Sequence, residues 1–351
     1  MSATSIPAAA ELTADQQQKL TKAQAADARM TSLYGEGKFA EAAGSGVEVL
    51  QIREDVFGPN HPATATNLNN LAALYEAQAN YIDSMPLYLR ALRIRELALG
   101  PNHPDTATIL NNLAYLYNSQ ANYAAAEPLY DRAFKIYEKA QGPDHPDTGL
   151  SINNLAVLHE LKGNYAAAEP LYRRALSINE RILGPNHPST ALSLSNLAAL
   201  NKAQAKYETA EPLYLRALRI YEKARGPDHP DTARCLSNLA EMYRELGNYA
   251  AAEPLHKRAL KIFEIAHGPE HPTTSVSLNN LAFLYQSQAN YGAAEPLYLR
   301  ALKIRETAFG PDHPATAVSV SNLASLYESQ ANYTAAETLF QKALNIHEAT
   351  Y

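Results

Sequence analysis

The sequence predicts an all-α solenoid of antiparallel helix pairs, on three observations. The stretch Gly-Pro-(Asn, Asp or Glu)-His-Pro returns at Gly58, Gly100, Gly142, Gly184, Gly226, Gly268 and Gly310, always 42 residues apart, with no insertion or deletion. A fixed period of that length marks a stacked-repeat architecture. Between these stretches the apolar residues recur at the three- and four-residue spacing of a helix. Pro and Gly fall where such helices would open and close.

The bulk numbers narrow the function classes. A length of 351 residues alone suggests two or three globular domains, but a solenoid grows by adding repeats and needs no second core. Net charge is −6 and 46% of residues are hydrophobic, so the basic footprint of a nucleic-acid binder is missing and no such partner is expected. A single cysteine, Cys235, rules out an internal disulfide framework and most thiolate metal sites. No apolar run is long enough to span a membrane, and the N-terminus has neither a basic n-region nor an apolar h-region, so a cytoplasmic location is expected.

Taken in order, residues 1–12 read as a flexible tail, 13–57 as a degenerate first repeat, and 58–351 as seven regular 42-residue repeats. Thr13 and Gln16 fit a capping box, opening a helix to about Leu33, and a second helix ends at Phe57. Gly44 and Gly46 lie inside that second helix, each costing about 1 kcal/mol relative to Ala, as suits an atypical terminal repeat. The regular repeats start their first helix, A, at Pro62, Pro104, Pro146, Pro188, Pro230, Pro272 and Pro314. In the second of them, helix A reaches about Gln120, Ala121-Asn122 is the turn, and helix B covers Tyr123 to about Ala140. Pro104 suits the first turn of a helix, Pro128 lies early in helix B, and Gly142 is placed for a left-handed C-cap.

With Leu113 numbered position 7, the repeats can be compared directly. Position 7 is always Leu, position 8 always Ala, position 17 always Tyr and position 27 always Ala. Position 20 is Ala except for Ser84, and position 24 is Tyr except for His256 and Phe340. Positions 4, 7, 8 and 11 form one stripe of helix A, and 20, 24, 27 and 28 one stripe of helix B. Alanine lets the helices approach closely while Leu and Tyr fill the space, which is a core and not a cofactor box; no cofactor is expected.

This pattern of Leu-Ala at 7–8, Ala at 20, an aromatic at 24 and Ala at 27 resembles the tetratricopeptide repeat (TPR). The NNLA core, the AEPLY start of helix B and the GPDHP linker look more specifically like the repeats of kinesin light chains and their bacterial relatives, over about residues 58–351. The resemblance implies a right-handed superhelix whose concave groove, lined mainly by helix A, holds extended peptide segments. It implies a scaffold or adaptor whose partner is a protein or peptide. No heptad segment joins it to a motor heavy chain, so the groove is what carries over.

Candidate binding residues lie opposite the core stripe. Position 6 is Asn in every regular repeat: Asn70, Asn112, Asn154, Asn196, Asn238, Asn280 and Asn322. Position 5 is Asn or Ser, with Asn111 and Asn153 among the candidates. A primary amide can pair both groups of a peptide unit whatever its side chain, and in similar TPR proteins Asn at this position clamps ligand backbone. The same amides can instead bond the neighbouring repeat and lock the stack. Variable positions 2, 9, 12 and 31 divide into zones: Tyr115, Leu150, Val157 and Tyr137 apolar; Lys202, Arg234 and Arg244 basic, tempered by Glu241 and Glu245. Phe283 and Arg305 belong to the same set. The zones predict a ligand with an apolar anchor beside acidic residues.

Seven of the eleven histidines belong to the linker. One per repeat, roughly 10 Å apart by helix-packing distances, they cannot close a metal shell with bonds of about 2.0 Å. No nucleophile–base pair, phosphate loop or paired-carboxylate site stands apart from the repeats, so no enzyme is expected. Glu96, Glu138 and their counterparts through Glu348 read as surface salt-bridge partners. The last helix keeps the apolar stripe Leu339, Phe340, Ala343 and Leu344, which suggests self-association into a homo-oligomer through that end, or a sensor array within a larger regulatory protein.

Overall fold

The computed structural model describes residues 12–350, in two compact bodies that divide after Pro101. The tail expected over 1–12 lies, but for Leu12, outside the described residues. The first body holds α1 (Ala14–Gly35), α2 (Phe39–Phe57), α3 (Pro62–Ala77) and α4 (Tyr81–Leu99). The second holds α5 (Pro104–Ser119), α6 (Tyr123–Gln141), α7 (Pro146–Leu161), α8 (Tyr165–Ile182), α9 (Pro188–Ala203) and α10 (Tyr207–Ala224). It continues with α11 (Pro230–Glu245), α12 (Tyr249–His267), α13 (Pro272–Ser287), α14 (Tyr291–Phe309), α15 (Pro314–Ser329) and α16 (Tyr333–Thr350). Odd-numbered helices from α3 onward are the A helices and their even-numbered partners the B helices. In the second body each helix packs on its chain neighbours, and consecutive A helices touch as well: α5 with α7, α9 with α11, α11 with α13, and α13 with α15. The architecture is an all-α solenoid.

Capping explains where the elements start. Thr13 accepts the Gln16 N–H at 3.2 Å and Gln16 Oε1 accepts the Thr13 N–H at 3.0 Å, closing the expected box. Every A helix opens on its Pro, and the His before it caps the helix: Nδ1 accepts a backbone N–H two residues on, at 3.0–3.2 Å. An accepting Nδ1 requires neutral imidazole with its proton on Nε2. The linker histidines therefore have a structural task. A buried threonine two residues after each Pro completes the junction, and sequence reasoning passed over it. Thr64, Thr148, Thr190, Thr232, Thr274 and Thr316 donate to the carbonyl of the linker glycine at 2.8–2.9 Å.

The left-handed cap is not where the sequence reading put it. The linker glycines have φ between 91° and 105°, and Gly142 has ψ 162°, an extended conformation essentially reserved for Gly. The left-handed residue sits instead at the end of the A helices, in a Schellman motif. In the second regular repeat, Asn122 N–H reaches the Tyr117 carbonyl at 2.8 Å and Ala121 N–H the Asn118 carbonyl at 2.9 Å. Gly163 and Gly247 occupy this place in two repeats, but Ala79, Ala121, Ala205, Ala289 and Ala331 hold it at φ 50–60°.

The core follows the small/large pattern with two shifts. Positions 4, 7 and 8 are buried throughout, with the position-8 alanines at 0% exposure. Position 10, not 11, completes the stripe: Leu116, Leu158, Leu200, Met242 and Leu284 are at 0%. The position-11 tyrosines are half-buried, and three donate to a glutamate of the preceding B helix: Tyr243 to Glu211 (2.5 Å), Tyr285 to Glu253 (3.0 Å) and Tyr327 to Glu295 (2.9 Å). On the B helices, Ile at position 30 is buried where position 28 was expected. Gly46 also has a packing reason: a Cβ there would meet Leu71 Cδ1 at 3.1 Å and Met30 Sδ at 3.3 Å. The repeated glutamates do form ion pairs between repeats, as Glu138 does with Arg174, Glu222 with Arg258 and Glu264 with Arg300, at 2.6–2.7 Å.

His256 is the misfit of the core. It is fully buried in the place of Tyr, and neither ring nitrogen has a partner among the described residues. Burial lowers its pKa from 6.5 to about 4.

Two outcomes are expected. The left-handed region costs an L-residue about 1–2 kcal/mol while the added chain entropy of Gly costs about 0.4–1 kcal/mol, so Ala205→Gly should raise stability by about 0.5–1 kcal/mol in urea denaturation. Because its folded pKa lies below the unfolded value, His256 binds a proton more readily when unfolded. Its contribution is intact above pH 6.5 and lost as the pH falls toward 4, at most about 3 kcal/mol. His256→Tyr should flatten that acid loss; an unchanged pH–stability profile would remove His256 as its source.

Candidate functional site

On the A helices position 2 is exposed in every regular repeat and positions 6 and 9 are half-buried or exposed. In the second body these positions carry exposed apolar side chains: Tyr115 (58% exposed), Leu150, Leu192, Val276, Phe283 (41%) and Val318. Large apolar groups left in water on one face are what a binding surface requires.

The asparagine ladder divides by partner. In the first body, Asn70 accepts from Asn69 at 3.4 Å. In the second, Asn196 Nδ2 donates to Asn153 Oδ1 of the preceding repeat at 2.7 Å, which is the stack-locking geometry. Asn112 is half-buried and also engaged. Asn154, Asn238, Asn280 and Asn322 make no side-chain hydrogen bond among the described residues, and Asn238 is exposed. Two candidates are corrected. Asn111 is only 8% exposed, with its Oδ1 buried and unpartnered. Tyr137 is 7% exposed and spends its hydroxyl on Thr108 Oγ1 at 2.8 Å. Both are buried, as are Ser195, Ser237 and Asn279 at position 5 and Asn179, Tyr221 and Phe263 at position 31.

The expected basic zone is also corrected, because its cations are already paired. Lys202 Nζ lies 2.9 Å from Glu245. Arg234 lies 2.8 Å from Asp231. Arg244 grips Glu241 through Nε and Nη2 at 2.8 and 2.7 Å and lies over the Phe283 ring, 4.2 Å from its centroid. That two-pronged bond to Glu241 holds the Arg244 pKa above its usual value. Glu241 and Glu245, expected only to temper the zone, pair with Arg244 and Lys202, and Asp231, which the sequence reading passed over, pairs with Arg234. Arg305 was not counted in that zone. It donates to Ser275 Oγ at 3.0 Å and to the Ala315 carbonyl at 2.6 Å.

Sequence reasoning missed the role of the core tyrosines. Their rings are buried, but their hydroxyls emerge on the A helix at position 12: Tyr172 donates to Glu160 at 2.6 Å and Tyr298 to Gln286 Oε1 at 2.9 Å. In the first body Tyr88 does the same to Glu76 at 3.0 Å. Burial raises the Glu160 pKa, and the bond from Tyr172 works against that. Tyr at 24 stands with an acceptor at 12 in four of its five repeats, Tyr214 with Lys202 being the exception, and that co-occurrence was the available signal. Where position 12 is Arg244, position 24 is His256.

Comparison with known proteins bears on the family and the fold. Seven overlapping stretches, 31–96, 65–139, 105–180, 150–223, 195–265, 237–307 and 273–349, match the tetratricopeptide repeat family. No curated protein matches the chain. Among solved structures, BtubC (BKLC) from P. vanneervenii is 25% identical over 66% of this chain and 91% of its own, with TM-score 0.52. A kinesin light chain of Podosopora anserina with nearly identical TPR-like repeats is 24% identical over 58% and 97%, with TM-score 0.48. A Rap protein complexed with Competence and Sporulation Factor is 12% identical over 95% and 99%, with TM-score 0.60, a likeness of fold alone. With its 42-residue period and kinesin-light-chain-like linker, the chain belongs to the tetratricopeptide repeat family and is a scaffold for protein interaction.

Proposed function

We propose that the A-helix face of the second body binds an extended peptide segment of a partner protein. The observation that carries this reading is the set of unpartnered amides at Asn154, Asn238, Asn280 and Asn322, the last three spaced one repeat apart, among exposed apolar side chains. An extended backbone presents N–H and C=O groups whatever its sequence, and a primary amide pairs with both. The apolar side chains supply area and the amides supply register. Binding, not catalysis, is what this face is built for.

A second reading rests on α16, where Phe340 and Leu344 are 41% and 49% exposed. It is self-association through that helix, which predicts a molar mass that rises with concentration in sedimentation equilibrium; a constant mass removes it.

The groove reading is tested with a display library of random short peptides selected on the wild type and on Asn238→Ala/Asn280→Ala. Enrichment by the wild type is expected, with each lost amide weakening an enriched peptide by about 1–3 kcal/mol and leaving the melting temperature nearly unchanged. Asn196→Ala should do the reverse, costing about 1 kcal/mol of stability through its bond to Asn153. Equal enrichment on wild type and double variant would place binding elsewhere.

A further inference from the structure

Helix α4, in the first body, is apolar on both of its sides. Ser84, Tyr88, Ala91 and Ile94 form its buried side. On the opposite side, at helical spacing, stand Ile82, Pro86, Leu89, Arg93 and Leu97, all exposed. Ile82 is 87% exposed, Leu97 76% and Leu89 45%. At about 1.5 Å per residue this outward stripe is about 22 Å long.

No other regular repeat builds such a stripe. In the place of Ile82 the other B helices have Ala, Glu, Gly or Thr. In the place of Leu97 they have Lys, Arg, Thr or Ala, with Ile265 the one large apolar exception. Leu215 and Leu299 match Leu89, but Glu208 and Lys223 flank the first, and Gly292 and Thr307 the second. Three large apolar side chains left in water along one helix mark an interaction surface.

Charge selects the occupant. Arg93 interrupts the stripe and has no hydrogen bond or ion pair among the described residues, whereas its neighbour Arg90 pairs with Glu54 at 2.6 Å. Asp83, exposed beside Ile82, accepts from Asn80 Nδ2 at 2.8 Å and has no cationic partner among the described residues. One unpaired cation and one unpaired anion thus lie near opposite ends of the same stripe. A second copy of α4 laid antiparallel and centred at Leu89 satisfies both. It sets Ile82 against the second copy's Leu97, Leu89 beside the second copy's Leu89, and Arg93 within one helical turn of the second copy's Asp83. A parallel copy would instead bring like charges together, which disfavours it.

We propose that α4 is an isologous dimer interface, its stripe of Ile82, Leu89 and Leu97 packed antiparallel on the same stripe of a second copy and Arg93 of each chain paired with Asp83 of the other. A two-fold interface of this kind is self-complementary and closes at two chains. It depends neither on the groove reading nor on the exposed side of α16. One helix face, about 10 Å wide, buries less than the roughly 1,600 Å² of a standard interface. The dimer is therefore weak, with a Kd on the order of 100 μM.

The test is sedimentation equilibrium over roughly 5–500 μM chain. The wild type and Leu344→Glu, altered on α16, are expected to move toward twice the monomer mass, and Leu89→Glu to stay monomeric. Arg93→Asp and Asp83→Arg should each weaken the dimer about tenfold, since each sets like charges together twice. An equimolar mixture of these two variants should dimerise about as well as the wild type, because both cross-pairs are then complementary. Circular dichroism checks that each variant is folded; if Leu89→Glu is not, Leu97→Glu, nearer the end of the stripe, takes its place. A constant wild-type mass overturns the proposal and leaves α4 to a different partner. Association that survives Leu89→Glu and is lost in Leu344→Glu overturns it in favour of α16. A mass rising beyond that of a dimer overturns the closed two-fold arrangement, and a mixture no tighter than either variant alone overturns the antiparallel pairing.

Discussion

The junction between one repeat and the next is the constraint on which the rest depends. A chain leaving helix B must turn, satisfy the open end of helix A and re-enter the stack in the same register. Glycine at φ near 100° makes the turn, the threonine hydroxyl ties its carbonyl, and the histidine ring caps the incoming helix. Pro presets the first helical dihedral and forgoes an N–H that would have had no partner. With the glycine carbonyl, the histidine Nδ1 and an opening N–H of helix A all tied together, the junction leaves little room for a change in length. The uniform 42-residue period is the visible result.

Given that register, the core and the binding face become one construction. Alanine at position 8 brings the two helices of a pair so close that a tyrosine ring from helix B crosses the space between them. Its hydroxyl then surfaces on helix A, where Glu160 or Gln286 receives it. A residue on the face is thereby held by the core, and the polarity of the face depends on what the core offers. Arg244 shows the limit of this coupling: with His256 at position 24 of its repeat, it donates its hydrogen bonds to Glu241 and stacks on Phe283.

Much of the fold was legible because it is local and repeated. The period, the helix starts at Pro, the capping box at Thr13 and the Ala/Leu core all follow from residue types at fixed spacing. What escaped is where two glycine-like conformations occur per repeat and only one carries Gly. Five alanines occupy the left-handed end of the A helices, so composition pointed to the linker instead. For the site, type and position were readable but pairing was not. Asn196 and Asn238 are the same residue at the same position, yet one is bonded to Asn153 and the other is open. The basic zone dissolved because Asp231, Glu241 and Glu245 lie within reach of its cations.

The ion pairs between B helices have one further consequence. Glu138–Arg174, Glu180–Arg216, Glu222–Arg258 and Glu264–Arg300 share one spacing, with the acid always in the earlier repeat and the base in the later. Any such repeat therefore presents its successor with the same acidic socket and its predecessor with the same basic plug. Recombination within the gene can add or delete a whole repeat and regenerate a matched joint at the seam. The joints are generic while the variable face is not, so an array of this kind can alter the order of its recognition chemistry without having to reinvent the way its pieces fit together.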